Sequence, residues 1–435
     1  MRRLLLTLAL ALSPFALRAE VAIQEITSPG GIDAWLVESP EIPFVALEIR
    51  IRGGSNLDEP GKRGATNLMM GLIEEGAGDM DAQTFQATRE SLAADFGFRA
   101  YDDSISVSAQ VLTENRDEAI DLLRLAITQP RFDADAIERV RAQVIAGIES
   151  DALDPQTIAS DTFYAAAYPN HPYGSSLSGT LDLVAALTRD DLLAAHRNAF
   201  VRDRIYVAAV GDITAEELGP LLDRLLGDLP ESGPPQPEWV PFGLDGGVTV
   251  VDFPSPQSTA LFGHAGIKRD DPDYFAAFII NHILGDGGFE SRLMQEVREK
   301  RGLTYGIGTF LVPRDYSEMI LGSVASANET MAEAIEVIRA EWARLATEGV
   351  TPEELEAAKT YITGEYPLRF DGNAEIASIM VGMQMIDLPP DYVVNRNAYI
   401  EAVTIDDIRR VAAELLDPAA LHFVVVGQPV GLTSD

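Results

Sequence analysis

TRDDLLAAHRNAFVRDRIYVAAVG, residues 188–211, is matched by TIDDIRRVAAELLDPAALHFVVVG, residues 404–427. The two stretches align without a gap at an offset of 216 residues. Each opens on a threonine, Thr188 or Thr404, set to cap a helix ahead of an acidic first turn. Each then runs into a short β-rich segment that ends on Gly. A shared cap, a shared period and a shared final Gly, spaced by half the chain, predict two homologous halves.

Working outward, residues 229–247 are rich in Pro and Gly (PESGPPQPEWVP, then GLDGG) and read as a semi-rigid extended connector. The organisation expected is an N-terminal domain over 20–232, a linker over 233–246 and a C-terminal domain over 247–435. In the first half, 45–52 alternates as a strand. Residues 61–75 read as a very apolar helix, 82–94 as an amphipathic one, and 98–111 as paired strands with Asp102 and Asp103 at the turn. Helices follow at 114–128, 133–150 and 155–167. The second half repeats the plan. Helices are expected at 271–284 with Asp271 as N-cap, at 329–347 with Asn328 as N-cap, and at 352–367 and 374–385. Grouped helices with mixed strands predict α+β halves, each a mainly antiparallel sheet with helices packed on it.

The first nineteen residues have the pattern of a cleaved signal peptide: Arg2 and Arg3, then an apolar run from Leu4 to Leu12, then Ala19 before the cut. That run is too short to anchor the chain in a bilayer, so a periplasmic or secreted protein without a membrane span is expected. There is no Cys, which excludes thiol catalysis and cysteine zinc sites. The net charge is −35. Nucleic acid and anionic membrane surfaces are poor partners for such a field.

The stretch SRLMQEVREKRGLTYGIGT, residues 291–309, reads as a basic amphipathic helix, a Gly stop at Gly302 and a strand opening on Tyr305. Leu293, Val297 and Leu303 are its inward positions. The turn can aim a guanidinium from Arg298 and a phenol from Tyr305 into one space. The plainer reading is an Arg paired with a neighbouring Glu and a Tyr packed under a sheet. This stretch resembles the C-terminal half signature of the pitrilysin/insulinase peptidases, the inverzincins, above all their bacterial and processing-peptidase branch. The blocks YPNHPYGSSLSGT (168–180) and DPDYFAAFIINHILGDGGFESRL (271–293) carry the same resemblance. In that family the Arg and Tyr of this segment hold the scissile peptide, which implies Arg298 and Tyr305 as catalytic candidates. Gly287 and Gly288, on a flexible approach with Gly285, are substrate-binding candidates.

Active members of the family carry H-x-x-E-H on a helix, two zinc ligands and a general base, with a further Glu ligand downstream. The resemblance places Asn67, Met70 and Gly71 on the three motif positions and Gly147 on the downstream one. None of the four can act as written. Glu74, Glu75 and Glu149 lie nearby, but no two of the five His share a helix at ligand spacing. His171 is read as a structural hydrogen bonder in its turn, His196 as solvated and His282 as a satisfied buried His. The expectation is therefore no metal in this chain. Zinc is expected in a homologous partner subunit, and the pair is expected to act on a peptide or unfolded polypeptide. The alternative is a catalytically inert peptide-binding or assembly protein of the same fold.

Overall fold

The computed structural model describes residues 22–434. The signal peptide expected over 1–19 lies outside the described residues. The first half holds β1 (Gln24–Thr27), β2 (Asp33–Glu38), β3 (Phe44–Arg52), β4 (Gly76–Ala77), β5 (Met80–Asp81), β6 (Asp95–Ala100), β7 (Ser104–Leu112) and β8 (Ile205–Gly211). The second holds β9 (Gly247–Asp252), β10 (Gln257–Ala265), β11 (Ile307–Pro313), β12 (Glu318–Ala327) and β13 (His422–Gly427). The two-residue strands β4 and β5 form a small hairpin of their own. The rest build two sheets, β1-β2-β8-β3-β7-β6 and β11-β12-β10-β13-β9. Traced from its other edge, the second sheet runs β9-β13-β10-β12-β11, the same path as β2-β8-β3-β7-β6. In both, the first pair is parallel and every later pair antiparallel. The halves are homologous α+β units.

The repeat that predicts this duplication occupies equivalent places. Thr188 caps the helix Arg189–Ala199 and Thr404 the helix Ile405–Leu415, each through a reciprocal capping box with Asp191 or Asp407. Two orphan N–H groups are satisfied at each start, worth about 1 kcal/mol per cap. The paired strands end on Gly211 and Gly427, at φ 138° and 150°. A Cβ on Gly211 would lie 2.2 Å from the carbonyl oxygen of Phe44.

Period-2 alternation gives each sheet two apolar faces. One face of the first sheet (Leu47, Ile49, Val207, Ala209) packs on helices of its own half. The equivalent face of the second (Ala260, Phe262, Val324, Val425) packs on its own helices and on fully buried Trp342. The opposite faces are covered across the molecule. The helix Pro155–Ala167, from the first half, lays Ala159 and Phe163 on Leu261, Val424 and Val426 of the second sheet. The helix Asn373–Met385, from the second half, lays Ala377, Met380 and Val381 on Trp35, Ala208 and Val210 of the first. Gln384 adds a bond from its Nε2 to the Val207 carbonyl at 2.9 Å. Each half therefore completes the other.

The tips of the two equivalent hairpins interlock. Asp102, in the β6–β7 turn, pairs with Arg63 at 2.9 Å and with Arg314 of the β11–β12 turn at 3.2 Å. Asp103 accepts hydrogen bonds from Tyr173 Oη and Asn56 Nδ2, both at 2.7 Å. Tyr173 Oη in turn accepts from the Tyr316 backbone N–H at 3.2 Å. Arg52 pairs with Asp315 at 3.1 Å. Burial pushes the Asp103 carboxyl up to about 6. Residues 233–246 carry no helix or strand and are pinned to both halves. Gln236 accepts from Tyr316 Oη at 2.6 Å, and Arg204 Nη1 donates to the Pro234 carbonyl at 3.0 Å.

Several local expectations are corrected. The helix expected over 61–75 is only Ala65–Met70, since Gly64, at φ 99°, and Gly71 bracket it. The helix expected to start at Asp271 is Tyr274–Asn281, because the Asp271 carboxylate folds onto the Asp273 N–H instead of capping. Asn328 is not an N-cap. The helix is Met331–Glu348, and the Asn328 side chain instead joins Ser258 Oγ and the Ser255 carbonyl.

Candidate functional site

The four positions that the resemblance places on the metal motif have structural surroundings. Asp58 starts its helix, accepting from the Gly64 and Thr66 N–H groups at 2.9 Å each. Asn67 reaches Ser178 Oγ at 3.5 Å, and Met70 is buried in the core. A Cβ on Gly71 would sit 3.2 Å from Val140 Cγ1, whereas Gly147 faces open space. Two of the three nearby acids are held in ion pairs. Glu74 pairs with Arg89 at 2.6 Å, and Glu75 with Arg139 from the helix Ala134–Asp151. Burial raises the Glu74 carboxyl against the pull of Arg89. Among the described residues no three His, Asp or Glu side chains are grouped to hold a metal ion. Neutral amide, thioether and glycine positions do not fit zinc, and the acids Glu74 and Glu75 are held by Arg89 and Arg139.

The histidines take structural roles. His171 Nδ1 accepts from the Tyr173 N–H at 3.2 Å, as expected of its turn. His196 is not solvated as expected. Its Nε2 lies 2.7 Å from the Ile127 carbonyl, its ring packs on Phe132 and Phe200, and burial lowers it to about 4. His282 stacks on Tyr361 at 5.1 Å between ring centroids.

In the second half, the helix Tyr274–Asn281 widens into a π-helical turn, His282–Asp286. Gly285 there meets the edge strand closely. A Cβ would lie 2.5 Å from Thr309 Oγ1 and 2.9 Å from its backbone nitrogen. Gly285 is thus a packing residue, not part of a flexible approach. Gly287 closes the turn, its N–H on the His282 carbonyl at 2.8 Å, and Gly288, at φ 57°, reverses the chain. The glycines read as substrate-binding candidates have this local work to do.

The basic segment that follows is also π-helical, Met294–Glu299, not the α-helix its periodicity implies. Arg292 anchors it through two bonds of 2.8 Å to Glu354, on the helix Pro352–Glu365. Burial alone would raise the Glu354 carboxyl. Arg292 and the Thr351 N–H outweigh it and hold the group at about 2. Leu293, Val297 and Leu303 are buried as expected. Gly302, at φ 66°, turns the chain, with its N–H on the Arg298 carbonyl at 2.8 Å. The strand does not open on Tyr305 but at Ile307, since Thr304 Oγ1 holds the turn through the Ala325 carbonyl and the Gly306 N–H.

Tyr305 stands at the apex of that turn, 86% exposed and hydrogen-bonded to nothing among the described residues. It is not packed under a sheet. The Arg298 guanidinium lies 4.6 Å over the Phe289 ring, and its Nε is 3.6 Å from Glu299. Phe289 itself is 60% exposed. Arg298 and Tyr305 therefore share one turn but do not touch. The sequence reading missed the roles of Phe289 and Arg292. A Phe directly after the Gly287-Gly288 pair and an Arg in the first turn were the available signals.

Comparison with known proteins agrees with this geometry. The family model described as insulinase (peptidase family M16) matches residues 34–181, and that described as peptidase M16 inactive domain matches 186–362. A solved structure described as a peptidase M16 inactive domain from Pseudomonas fluorescens is 27% identical, with a TM-score of 0.88 over 95% of this chain and 99% of that one. A Helicobacter pylori protein described as a non-peptidase homolog is 23% identical over 85% of each chain. A probable mitochondrial-processing peptidase subunit beta from Schizosaccharomyces pombe is 23% identical, over 96% of this chain and 94% of its own length. With a matching duplicated fold and no residue able to ligate zinc at the motif positions, the chain belongs to the insulinase (M16) peptidase family and is a member that lacks the metal site.

Proposed function

We propose that this chain is the metal-free subunit of an exported zinc metallopeptidase heterodimer, acting on peptides or unfolded polypeptides in the periplasm or outside the cell. Its zinc-bearing partner is a homologue of similar size. The observation that carries the reading is Tyr305, an 86% exposed phenol with no hydrogen-bond partner among the described residues, in the same segment as the Arg298 guanidinium and in a chain whose described residues group no metal ligands. In the assembled pair Tyr305 donates a hydrogen bond to the scissile carbonyl oxygen as it gains charge. Arg298 leaves the Phe289 ring to hold that oxygen or the neighbouring substrate carbonyl. Donors placed in advance in this way contribute about 10²–10³ in rate.

The test is co-expression with a zinc-bearing homologue, followed by kinetics of the purified pair. Tyr305→Phe is expected to leave folding and pairing alone and to lower kcat about 10²–10³-fold with little change in KM. An unchanged kcat in the fully assembled pair overturns the catalytic role. A second reading, an inert peptide-binding or assembly protein, draws on the engagement of Arg298 with Phe289 and Glu299 and on the Helicobacter relative's description as a non-peptidase. It forecasts that Tyr305→Phe is nearly silent in activity and that Arg298→Ala lowers the melting temperature instead.

A further inference from the structure

Away from the Arg298 turn, a cavity of about 320 Å³ opens where the helices Tyr274–Asn281, Asn373–Met385 and Tyr392–Ala402 (the last from residue 392) meet. Five aromatic rings and three arginines line it. The Arg269 guanidinium lies 4.2 Å over the Tyr274 ring and donates to Tyr392 Oη at 2.9 Å. Arg396 lies 4.4 Å over the Tyr366 ring, donates to the Ile362 carbonyl at 3.1 Å and is only 7% exposed. Arg369, at the rim, pairs with Glu365 at 2.9 Å. Neither Arg269 nor Arg396 pairs with a carboxylate among the described residues. That is a physical anomaly in a chain with 68 acidic and 33 basic residues.

Aromatic faces offset part of the cost of a desolvated guanidinium, but they supply no counter-charge. The cavity therefore keeps a positive potential within apolar walls, which strengthens any anion bound there. Guanidinium forks match a planar carboxylate, and the rings match a flat or branched apolar body. We propose that this cavity binds a hydrophobic carboxylate, an α-carboxylate carrying an aromatic or branched side chain. The source is either a free acid or the C-terminal residue of a peptide. The site needs neither Tyr305 nor a partner subunit, so it stands or falls apart from the function proposed above.

Gly382 provides a clean block. It is exposed at the cavity wall, and a Cβ there meets nothing within 4 Å. Gly382→Leu fills the space while improving helix propensity, so folding is retained. The experiment is calorimetric titration of the full mature protein with N-acetylphenylalanine, its amide, and a blocked decapeptide ending in Phe as acid and as amide. The acid forms are expected to bind at least about tenfold more tightly than the amides, the loss of one charge-assisted contact. Gly382→Leu abolishes that binding, and Arg269→Gln, assayed well below its own melting temperature because it also loses the Tyr392 bond, weakens it by about tenfold. Binding of the small acid as tight as the peptide's assigns the site to free acids. Binding of the peptide acid alone assigns it to chain ends. Equal binding of acids and amides, no binding of any acid at millimolar concentration, or full binding by Gly382→Leu overturns the proposal.

Discussion

Replacing Asp103 by Asn tests whether the interlocked hairpins are held together at the cost of a buried charge. Asp103 Oδ1 accepts from Tyr173 Oη and Asn56 Nδ2, and an Asn oxygen can accept both. Burial lifts the carboxyl from 3.8 to about 6 in the folded protein, with the neighbouring Asp315 and Asp102 carboxylates adding to the rise. The native state then binds more protons than the unfolded chain between those values. Stability falls as pH rises through that window and levels off above about 6. The ionised form costs about 3 kcal/mol in the folded state. Asp103→Asn removes that cost, so it should stabilise the protein by up to about 3 kcal/mol near pH 7.5 and by about zero near pH 3.5. The measurement is equilibrium denaturation of both proteins across that range, with midpoints and slopes compared. The difference between the curves is the readout, because His196 pulls the parent curve the other way. Equal destabilisation at both ends of the range would refute the reasoning. It would show that the ionised Asp103 carries no net cost and that the substitution removes hydrogen-bond geometry that counts the same in either protonation state.

His196, lowered to about 4 by burial, favours the folded state only while neutral. Its contribution is lost as pH falls from 6.5 towards 4, and its ring signals should titrate near 4 in an NMR series. Phe163→Ala, which empties a fully buried site between the halves, should cost about 3–5 kcal/mol in chemical denaturation. Gly285→Ala should lower stability by about 1–3 kcal/mol, because the added methyl meets the Thr309 backbone. Elemental analysis of the purified chain should find no stoichiometric zinc, and added zinc should leave the melting temperature unchanged.

Much of the fold was legible because it rests on local chemistry. A Thr cap with an acidic N3 residue, and a Gly forced by close backbone approach, leave a mark at 188–211 and again at 404–427. The degenerate metal positions were equally plain, since no side chain at Asn67, Met70, Gly71 or Gly147 can replace the lost donors. The π-helical turns were hidden. Leu293 and Val297 are spaced as in an α-helix, and the wider turn comes from tertiary anchors, Arg292 on Glu354 and Gly285 on Thr309. The cavity around Arg396 was hidden for a similar reason. Its walls come from segments far apart in the chain, and nothing local to residue 396 signals a missing counter-charge.

The crossed helices bear on how the chain is made. The last strand of the first sheet ends at Gly211, yet the helix that covers its outer face ends at Met385. During synthesis, Trp35, Ala208 and Val210 stay bare until that helix emerges. At ordinary translation rates the interval is roughly ten to thirty seconds. The first half alone leaves an apolar sheet face open to water, and it cannot be completed before the chain is nearly finished.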